Sequence, residues 1–349
     1  MAATAINGNA TPHAVLVTGS SSGFGFGTVF TLAERGFRVY AGCRSAKGRA
    51  AVSQEITKRG IKEDRIEVME LDVTNEESVA RCAAHVGEME LAGVYAVVSN
   101  AGLGETRLLE MTSMETYSHV YETNTLGSVR VFQHFLPLLR KFAELHASGP
   151  APRIVAVSSI GGLVAAAEAS AYAASKFALE AVCDSLRREL ILFSSPVRVC
   201  VVEPAFASTP ILEGMKTEET WDAALAGTRE NLREDVKKAY RGMFDWQKKK
   251  QIVKFHGELG SWTCGTQLNH NHKSRTSNRT RPHPHLAAMD PQYVVDAIVA
   301  QVAARNPNHR KIVAPLLDYL LLSVARFVST RIGDWLLYKI IKWRASVQH

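Results

Sequence analysis

Tyr172 and Lys176 stand four residues apart in the run Tyr-Ala-Ala-Ser-Lys. On a helix that spacing puts both side chains on one face. A free phenol, with a pKa near ~10, is a poor base at neutral pH. A cation one turn away favours the phenolate, so the pair can give a proton to a substrate oxygen or take one from it. A second set of residues suits phosphate binding: Thr18-Gly19-Ser20-Ser21-Ser22-Gly23-Phe24-Gly25. Gly19 allows a tight turn, Gly23 lets the backbone approach a pyrophosphate, and Gly25 lets a helix pack on the preceding strand. The helix N-terminus then offers free N–H groups and a positive dipole end. A glycine cluster alone describes a plain turn. Here a strand-like apolar run precedes it and the helical pattern Thr28–Arg35 follows, which makes it a dinucleotide site. About 20 residues further on, where an NAD site has Asp or Glu and an NADP site has Arg, the chain reads Ala41-Gly42-Cys43-Arg44. Cys43 takes the acidic position and no neighbouring carboxylate repels a phosphate from Arg44, so NADP(H) is preferred, with NAD(H) as the alternative.

These groups need a scaffold, and the apolar runs supply one. Ala14–Val17, Arg38–Ala41, Ile66–Glu70, Val94–Val98, Arg153–Val157 and Val197–Val202 are rich in Val and Ile and lack polar alternation. That is the pattern of strands covered on both faces. A seventh is predicted at Lys311–Ala314. Helix-length segments lie between them, one opening at the capping-box pattern Thr74-Asn75-Glu76-Glu77 and running from Val79 to Val86. Strand, helix and strand repeating every ~25–30 residues predict right-handed βαβ units in an α/β fold, a doubly wound parallel sheet flanked by helices.

Composition narrows the class. The 349 residues carry 41 Lys+Arg against 34 Asp+Glu, a net charge of +7, with 46% hydrophobic and 21% charged residues, which excludes a disordered chain. The excess charge does not imply nucleic acid. Basic residues gather between Lys237 and Lys250 and again from Arg326 to Arg344, where they could meet an anionic surface. Cys43, Cys82, Cys183, Cys200 and Cys264 are odd in number and show no paired spacing, which argues against a disulfide scaffold or zinc site and for a reducing compartment. Cys183 and Cys200, in apolar surroundings, read as core. Residues 257–285 are polar and aperiodic, a flexible insertion whose His270, His272, His283 and His285 find no further ligand at helical or hairpin spacing, so no metal site is predicted. The N-terminus, with residues 1–13 taken as flexible, lacks a secretory pattern, and the expected location is cytoplasmic, not secreted.

TGSSSGFG at 18–25, LDV at 71–73, SNAG at 99–102, TNTLG at 123–127, VSSIGG at 157–162 and YAASK at 172–176 together resemble the short-chain dehydrogenase/reductase family, in the family's order. The resemblance implies one Rossmann-type domain over 14–315. It implies that Asp72 and Val73 contact the adenine side and that Asn100-Ala101-Gly102 line the cofactor cleft. Ser159, thirteen residues before Tyr172, would bond the substrate oxygen; its neighbour Ser158 is disfavoured on that spacing. Asn124 would hold a water relaying protons from Lys176, Lys176 would also hold the nicotinamide ribose, and Tyr172 would transfer a proton while hydride moves at C4 of the nicotinamide. The chain departs from the family at Glu203-Pro204-Ala205-Phe206-Ala207-Ser208-Thr209. Ala205 stands where glycine is common and takes a positive φ less readily, which predicts an altered loop path, while Pro204 and Thr209 keep their places beside the carboxamide. Family resemblance also implies a dimer or tetramer.

Features outside this core look like the group that holds retinol dehydrogenases, 17β-hydroxysteroid dehydrogenases and D-β-hydroxybutyrate dehydrogenase. The predicted lid, residues 211–255, carries Ile211, Leu212, Met215, Trp221, Leu225, Met243, Phe244 and Trp246, which suit a lipophilic substrate such as a steroid or retinoid. A short hydroxy acid like D-β-hydroxybutyrate is the alternative, and its carboxylate would need a dedicated cation. A catalytically silent binding protein is a further alternative, opposed by the intact Asn124, Ser159, Tyr172 and Lys176. Residues 316–349 form an amphipathic helical extension. Leu316, Leu317, Leu320, Leu321, Val324, Phe327 and Val328 make one apolar face, and Trp335, Tyr338 and Trp343 stand beside Lys339, Lys342 and Arg344. Interspersed charges exclude a span, so the segment is expected either to attach to the cytoplasmic face of an internal membrane, the endoplasmic reticulum among them, or to pack on protein.

Overall fold

The computed structural model describes residues 12–62, 64–205, 207 and 289–314. The predicted lid, insertion and C-terminal extension, and Thr209, lie outside the described residues. Seven parallel strands form one sheet: β1 (Ala14–Thr18), β2 (Arg38–Cys43), β3 (Ile66–Glu70), β4 (Ala96–Ser99), β5 (Arg153–Val157), β6 (Arg198–Pro204) and β7 (Arg310–Val313), in the order β3-β2-β1-β4-β5-β6-β7. The doubly wound sheet expected from the apolar runs is present, with β4 beginning two residues later and β6 ending two residues later than predicted. Val15 pairs with Val39 on one side and Ala96 on the other, so the strand order reverses about β1. Chains leaving β1 and β4 turn to opposite faces there, and a crevice opens at their C-terminal ends.

The helices are α1 (Gly23–Glu34), α2 (Ala46–Arg59), α3 (Glu76–Met89), α4 (Met114–Tyr121), α5 (Gly127–Leu145), α6 (Ser170–Leu192) and α7 (Pro291–Ala303). Alternate residues of each strand feed two cores. Val15, Val17, Val39, Val155 and Val157 pack with Phe30 of α1, Val52 of α2 and Val295 and Ile298 of α7. Leu16, Tyr40, Val97, Ile154 and Val199 pack with Val79 of α3, Phe135 of α5 and Leu179 of α6. Cys183 and Cys200 are core residues, as read. Of the supposedly flexible N-terminal segment, His13 belongs to the fold: its ring lies 5.0 Å from that of Tyr95, and its carbonyl accepts from Arg38 N–H at 3.1 Å.

Arg153, at the head of β5, is fully buried. Its guanidinium donates to the carbonyls of Ala151, Gln301 and Ala304 and lies 4.8 Å over the Tyr95 ring, while the Tyr95 hydroxyl donates to Val302 O at 2.9 Å. These side chains supply donors to the C-terminal carbonyls of α7, which have no partners within the helix.

The cap of α3 sits one residue later than the Thr74 capping box predicts. Asn75 is the N-cap, its Oδ1 accepting from Ser78 N–H at 2.8 Å. Thr74 is diverted: its hydroxyl and N–H both donate to Asp72 Oδ1, at 2.7 and 2.9 Å. Asn75→Ala is expected to lower stability by about 1 kcal/mol. Glu77→Gln, at the residue the capping box would have used, should change it by less than about 0.5 kcal/mol. Urea unfolding midpoints of the two variants distinguish these outcomes.

Candidate active site

The glycine loop is held from below by the end of β4. Thr18 Oγ1 accepts from the N–H groups of Asn100 and Ala101, both at 2.9 Å, and Asn100 Nδ2 donates to the carbonyls of Thr18 and Gly19 at 3.0 and 3.2 Å. Asn100, expected to line the cleft, spends its amide on clamping the loop. Gly19 has φ +66° and lies so close that a Cβ would sit 2.8 Å from Ala101 Cα; a Cβ on Gly25 would sit 2.3 Å from Gly19 O. Gly23 also holds a positive φ, 58°. Ser20 turns inward, donating to Val17 O at 2.8 Å, while Ser21 and Ser22 are exposed and Phe24 packs on the core. Ser22 is the N-cap of α1, yet its side chain makes no capping bond. A cradle with glycine at 19, 23 and 25, ending in a helix N-terminus without a side-chain cap, fits a dinucleotide pyrophosphate.

Arg44 is exposed just beyond β2, and Ser45 caps α2 by accepting from Gly48 N–H at 3.1 Å. A Cβ on Gly48 would lie 2.6 Å from Ser21 Cβ, so the start of α2 abuts the glycine loop. The sheet also brings a carboxylate that the sequence did not place there. Glu70 of β3 is in register with Cys43, and Arg49 pairs with it at 3.1 Å. Parallel pairing joins residues far apart in the chain, so this neighbour is invisible in a local reading. Asp72 forms the turn into α3, and Val73 is buried against Gly127.

Beyond the crevice, one π-helical turn, Glu122–Leu126, joins α4 to α5 and buries Thr123, Asn124 and Thr125. Single π turns recur at functional sites. Asn124 Oδ1 accepts from Leu103 N–H at 2.7 Å, and its amide donates to Leu103 O and Ser175 Oγ, each at 2.9 Å. Thr125 Oγ1 donates to Ser175 O at 2.9 Å, locking this turn to α6. Gly102 lies at the junction, where a Cβ would be 3.2 Å from Asn124 Oδ1 and 3.6 Å from Lys176 Nζ.

Ser159 and Tyr172 converge on Gly161. Ser159 Oγ accepts from Gly161 N–H at 3.0 Å, while a Cβ on Gly161 would meet Tyr172 Cε1 at 3.1 Å and Ser159 Oγ at 3.3 Å. Lys176 Nζ donates to Val157 O at 3.0 Å and lies 5.8 Å from the Tyr172 ring centre. Burial raises the Tyr172 pKa, and the nearby Ser159 hydroxyl opposes it. Burial also pushes the Lys176 ammonium down to about 8, against the pull of Glu180 and then Cys183. Burial thus works against the phenolate that the four-residue spacing suggests. Ser158 is buried on the other side of this loop. Pro204 closes β6 opposite Val313, and Ala205 donates to Val313 O at 2.8 Å, without a positive φ. Ala205 thus continues the pairing with β7 where a glycine could have turned away.

The short chain dehydrogenase family model matches residues 13–220. A mouse protein, D-beta-hydroxybutyrate dehydrogenase, mitochondrial, is 34% identical over 292 residues, 80% of this chain and 78% of the relative. Mouse retinol dehydrogenase 16 is 36% identical over 62% of this chain and 65% of its own length, and bovine 17-beta-hydroxysteroid dehydrogenase type 6 is 33% identical over 73% of each. The chain spans only 54% of the rat D-beta-hydroxybutyrate dehydrogenase that it matches. Among solved structures, a short-chain dehydrogenase from Streptomyces avermitilis aligns over 97% of this chain and 98% of its own, with TM-score 0.62 and 21% identity, a likeness of fold. The chain belongs to the short-chain dehydrogenase family and is an oxidoreductase.

Ser175, Thr125 and Gly161 were missed by sequence reasoning. The small residues inside Tyr-Ala-Ala-Ser-Lys were a signal, since only a short side chain lets the π turn approach α6. Gly25→Ala should weaken dinucleotide binding more than tenfold while leaving the far-ultraviolet circular dichroism unchanged, because its methyl would strike Gly19 O and displace the cradle. Fluorescence titration with NADPH reads this directly.

Proposed function

We propose that the chain is an NADP(H)-preferring dehydrogenase/reductase that interconverts a hydroxyl and a carbonyl on a lipophilic substrate of the steroid or retinoid class. The observation that carries the reading is the convergence of Ser159 Oγ and the Tyr172 phenol on the side-chain-free Cα of Gly161, beside a buried ammonium. Ser159, whose oxygen accepts from Gly161 N–H, would turn its hydroxyl proton to a substrate oxygen. Tyr172, protonated at rest, supplies the proton a carbonyl oxygen needs on reduction and recovers it on oxidation. Lys176 holds positive charge beside the phenol, steadying the phenolate that proton transfer leaves. A bound nicotinamide supplies or accepts the hydride. Asn124 is a positioning residue here, its side chain joining Leu103 to Ser175 and so the cleft wall to α6.

The cofactor preference rests on exposed Arg44 beside the capped start of α2, with Arg49 neutralising Glu70. The substrate class rests on the lid sequence and on Arg107. This residue pairs with Ala169, three positions before Tyr172, and its guanidinium is held by Glu105 at 2.9 Å. An arginine so occupied is a poor partner for a substrate carboxylate. The coverage of the mouse D-beta-hydroxybutyrate dehydrogenase match favours the second reading, a short hydroxy acid, in which Arg107 would exchange Glu105 for the substrate. The apolar, basic tail at 316–349 is consistent with peripheral attachment to a membrane, and no helix among the described residues is long and apolar enough to cross one.

Turnover of retinoids, steroids and short hydroxy acids with each cofactor tests the reading. Activity confined to hydroxy acids would replace the lipophilic assignment, and no turnover of any would leave a binding protein. Tyr172→Phe should lose more than about 99% of kcat and retain NADPH binding, because only the proton-carrying oxygen is removed. Arg44→Ala should raise the KM for NADP about tenfold or more and leave that for NAD little changed, since a lost charged contact to phosphate is worth about 1.5–3 kcal/mol. Equal effects on both cofactors would refute the assignment of Arg44.

A further inference from the structure

Tyr172, Lys176, Glu180 and Asp184 follow one another at four-residue intervals along α6 and so form one file of titratable groups on that helix. Glu180 is buried, and one of its oxygens is held by Arg310 at the start of β7. The same guanidinium pairs with Glu203 of β6 at 2.7 Å and with Asp184 at 2.9 Å. Three carboxylates thus gather about Arg310, with Arg187 and Arg188 also within 3.7 and 3.8 Å of Asp184, and Glu180 is the one that stands a single helical turn from Lys176. Gly162 fixes the stem of Glu180: a Cβ there would meet Glu180 Cγ and Ser158 Oγ, each at 3.0 Å, and the Lys176 carbonyl at 3.1 Å. The loop bearing Ser159 is therefore packed on the same carboxylate side chain that neighbours the ammonium. A buried ammonium without a counter-charge gives up its proton.

We propose that Glu180, anchored by Arg310, is a positioning residue that supplies the counter-charge keeping Lys176 protonated in the cleft. The inference rests on Lys176 acting in the reaction. The groups around the ammonium are Tyr172, Glu180 and Cys183 from α6, the Val157 carbonyl from β5 and Asn124 from the π turn; those around Glu180 are Arg310 from β7, Glu203 from β6 and Asp184. Among them Glu180 raises the Lys176 pKa most, against burial that lowers it. Removing its charge lowers the midpoint further, so the ammonium is lost at a lower pH.

The Lys176 midpoint is measured by NMR titration of its ε-carbon in the full chain, assigned with Lys176→Met. Glu180→Gln keeps the shape and an acceptor for Arg310, and should lower that midpoint by about one pH unit. The alkaline limb of kcat should move down with it, with KM little changed. Glu203→Gln removes a charge from the same guanidinium on the β6 side and should move the midpoint less. Should Glu180→Gln not fold, Glu180→Asp, which withdraws the carboxylate by one methylene, should give a smaller fall. An unmoved midpoint in a folded Glu180 variant, or an equal fall in Glu203→Gln, overturns the proposal. The titration needs no turnover, so a wild-type protein without activity would remove the enzymatic reading and leave this result to stand separately.

Discussion

Thr18 and Asn100 exchange hydrogen bonds across the ends of β1 and β4, and the cleft depends on that exchange. At this point the sheet order reverses and the flanking helices diverge, and the exchange extends the parallel pairing of β1 with β4 beyond Val17 and Val98 into the glycine loop. The Asn100 amide reaches the carbonyls of both Thr18 and Gly19, which fixes the first turn of the glycine loop and, through it, the start of α1. Gly25 then sits under Gly19 and brings the helix terminus to the crevice. The loop is therefore held by side chains beneath it, leaving its upper surface and the first N–H groups of α1 for a ligand.

On the other side of the crevice the organising element is α6. Its Ser175 receives Asn124 and Thr125 from the π turn, and its Tyr172 lies against the Ser159–Gly161 loop that follows β5. Three segments distant in the chain thus meet on less than two helical turns. The electrostatics are opposed to this assembly, since burial penalises the charge on Lys176. The Val157 carbonyl accepts from the ammonium, and Glu180 opposes part of the penalty. The arrangement keeps a charge where a dry interior would otherwise discharge it.

Much of this was legible in the sequence because strands buried on both faces read as unbroken Val and Ile runs, and because the glycine loop and the Tyr–Lys pair are local patterns. What escaped was set by register and burial. Glu70 comes beside Cys43 only through parallel pairing of β2 with β3. The cap of α3 fell to Asn75 because Asp72 captured Thr74, a competition between neighbours that a four-residue motif does not contain. Asn100 was recognised as part of the site, but its use as a clamp needed the separation between β1 and β4 to be known. That Lys176 stands one turn from Tyr172 follows from spacing; that burial raises the Tyr172 pKa does not. Arg310, Glu180 and Glu203 are single charges scattered along the chain, and they signalled nothing until β7 closed the sheet.

The burial of Arg153 bears on how the protein is made. Its carbonyl partner at Gln301 lies 148 residues downstream, a separation that takes a ribosome roughly 7–30 s to cover. Throughout that interval the guanidinium has the Ala151 carbonyl and the Tyr95 ring but not the carbonyls of Gln301 and Ala304, and an apolar sheet face awaits Val295 and Ile298 of α7. Hydrophobic surface left open for that long is a target for chaperones and a hazard for aggregation. The β5 side of that core is therefore complete only once α7 has been made.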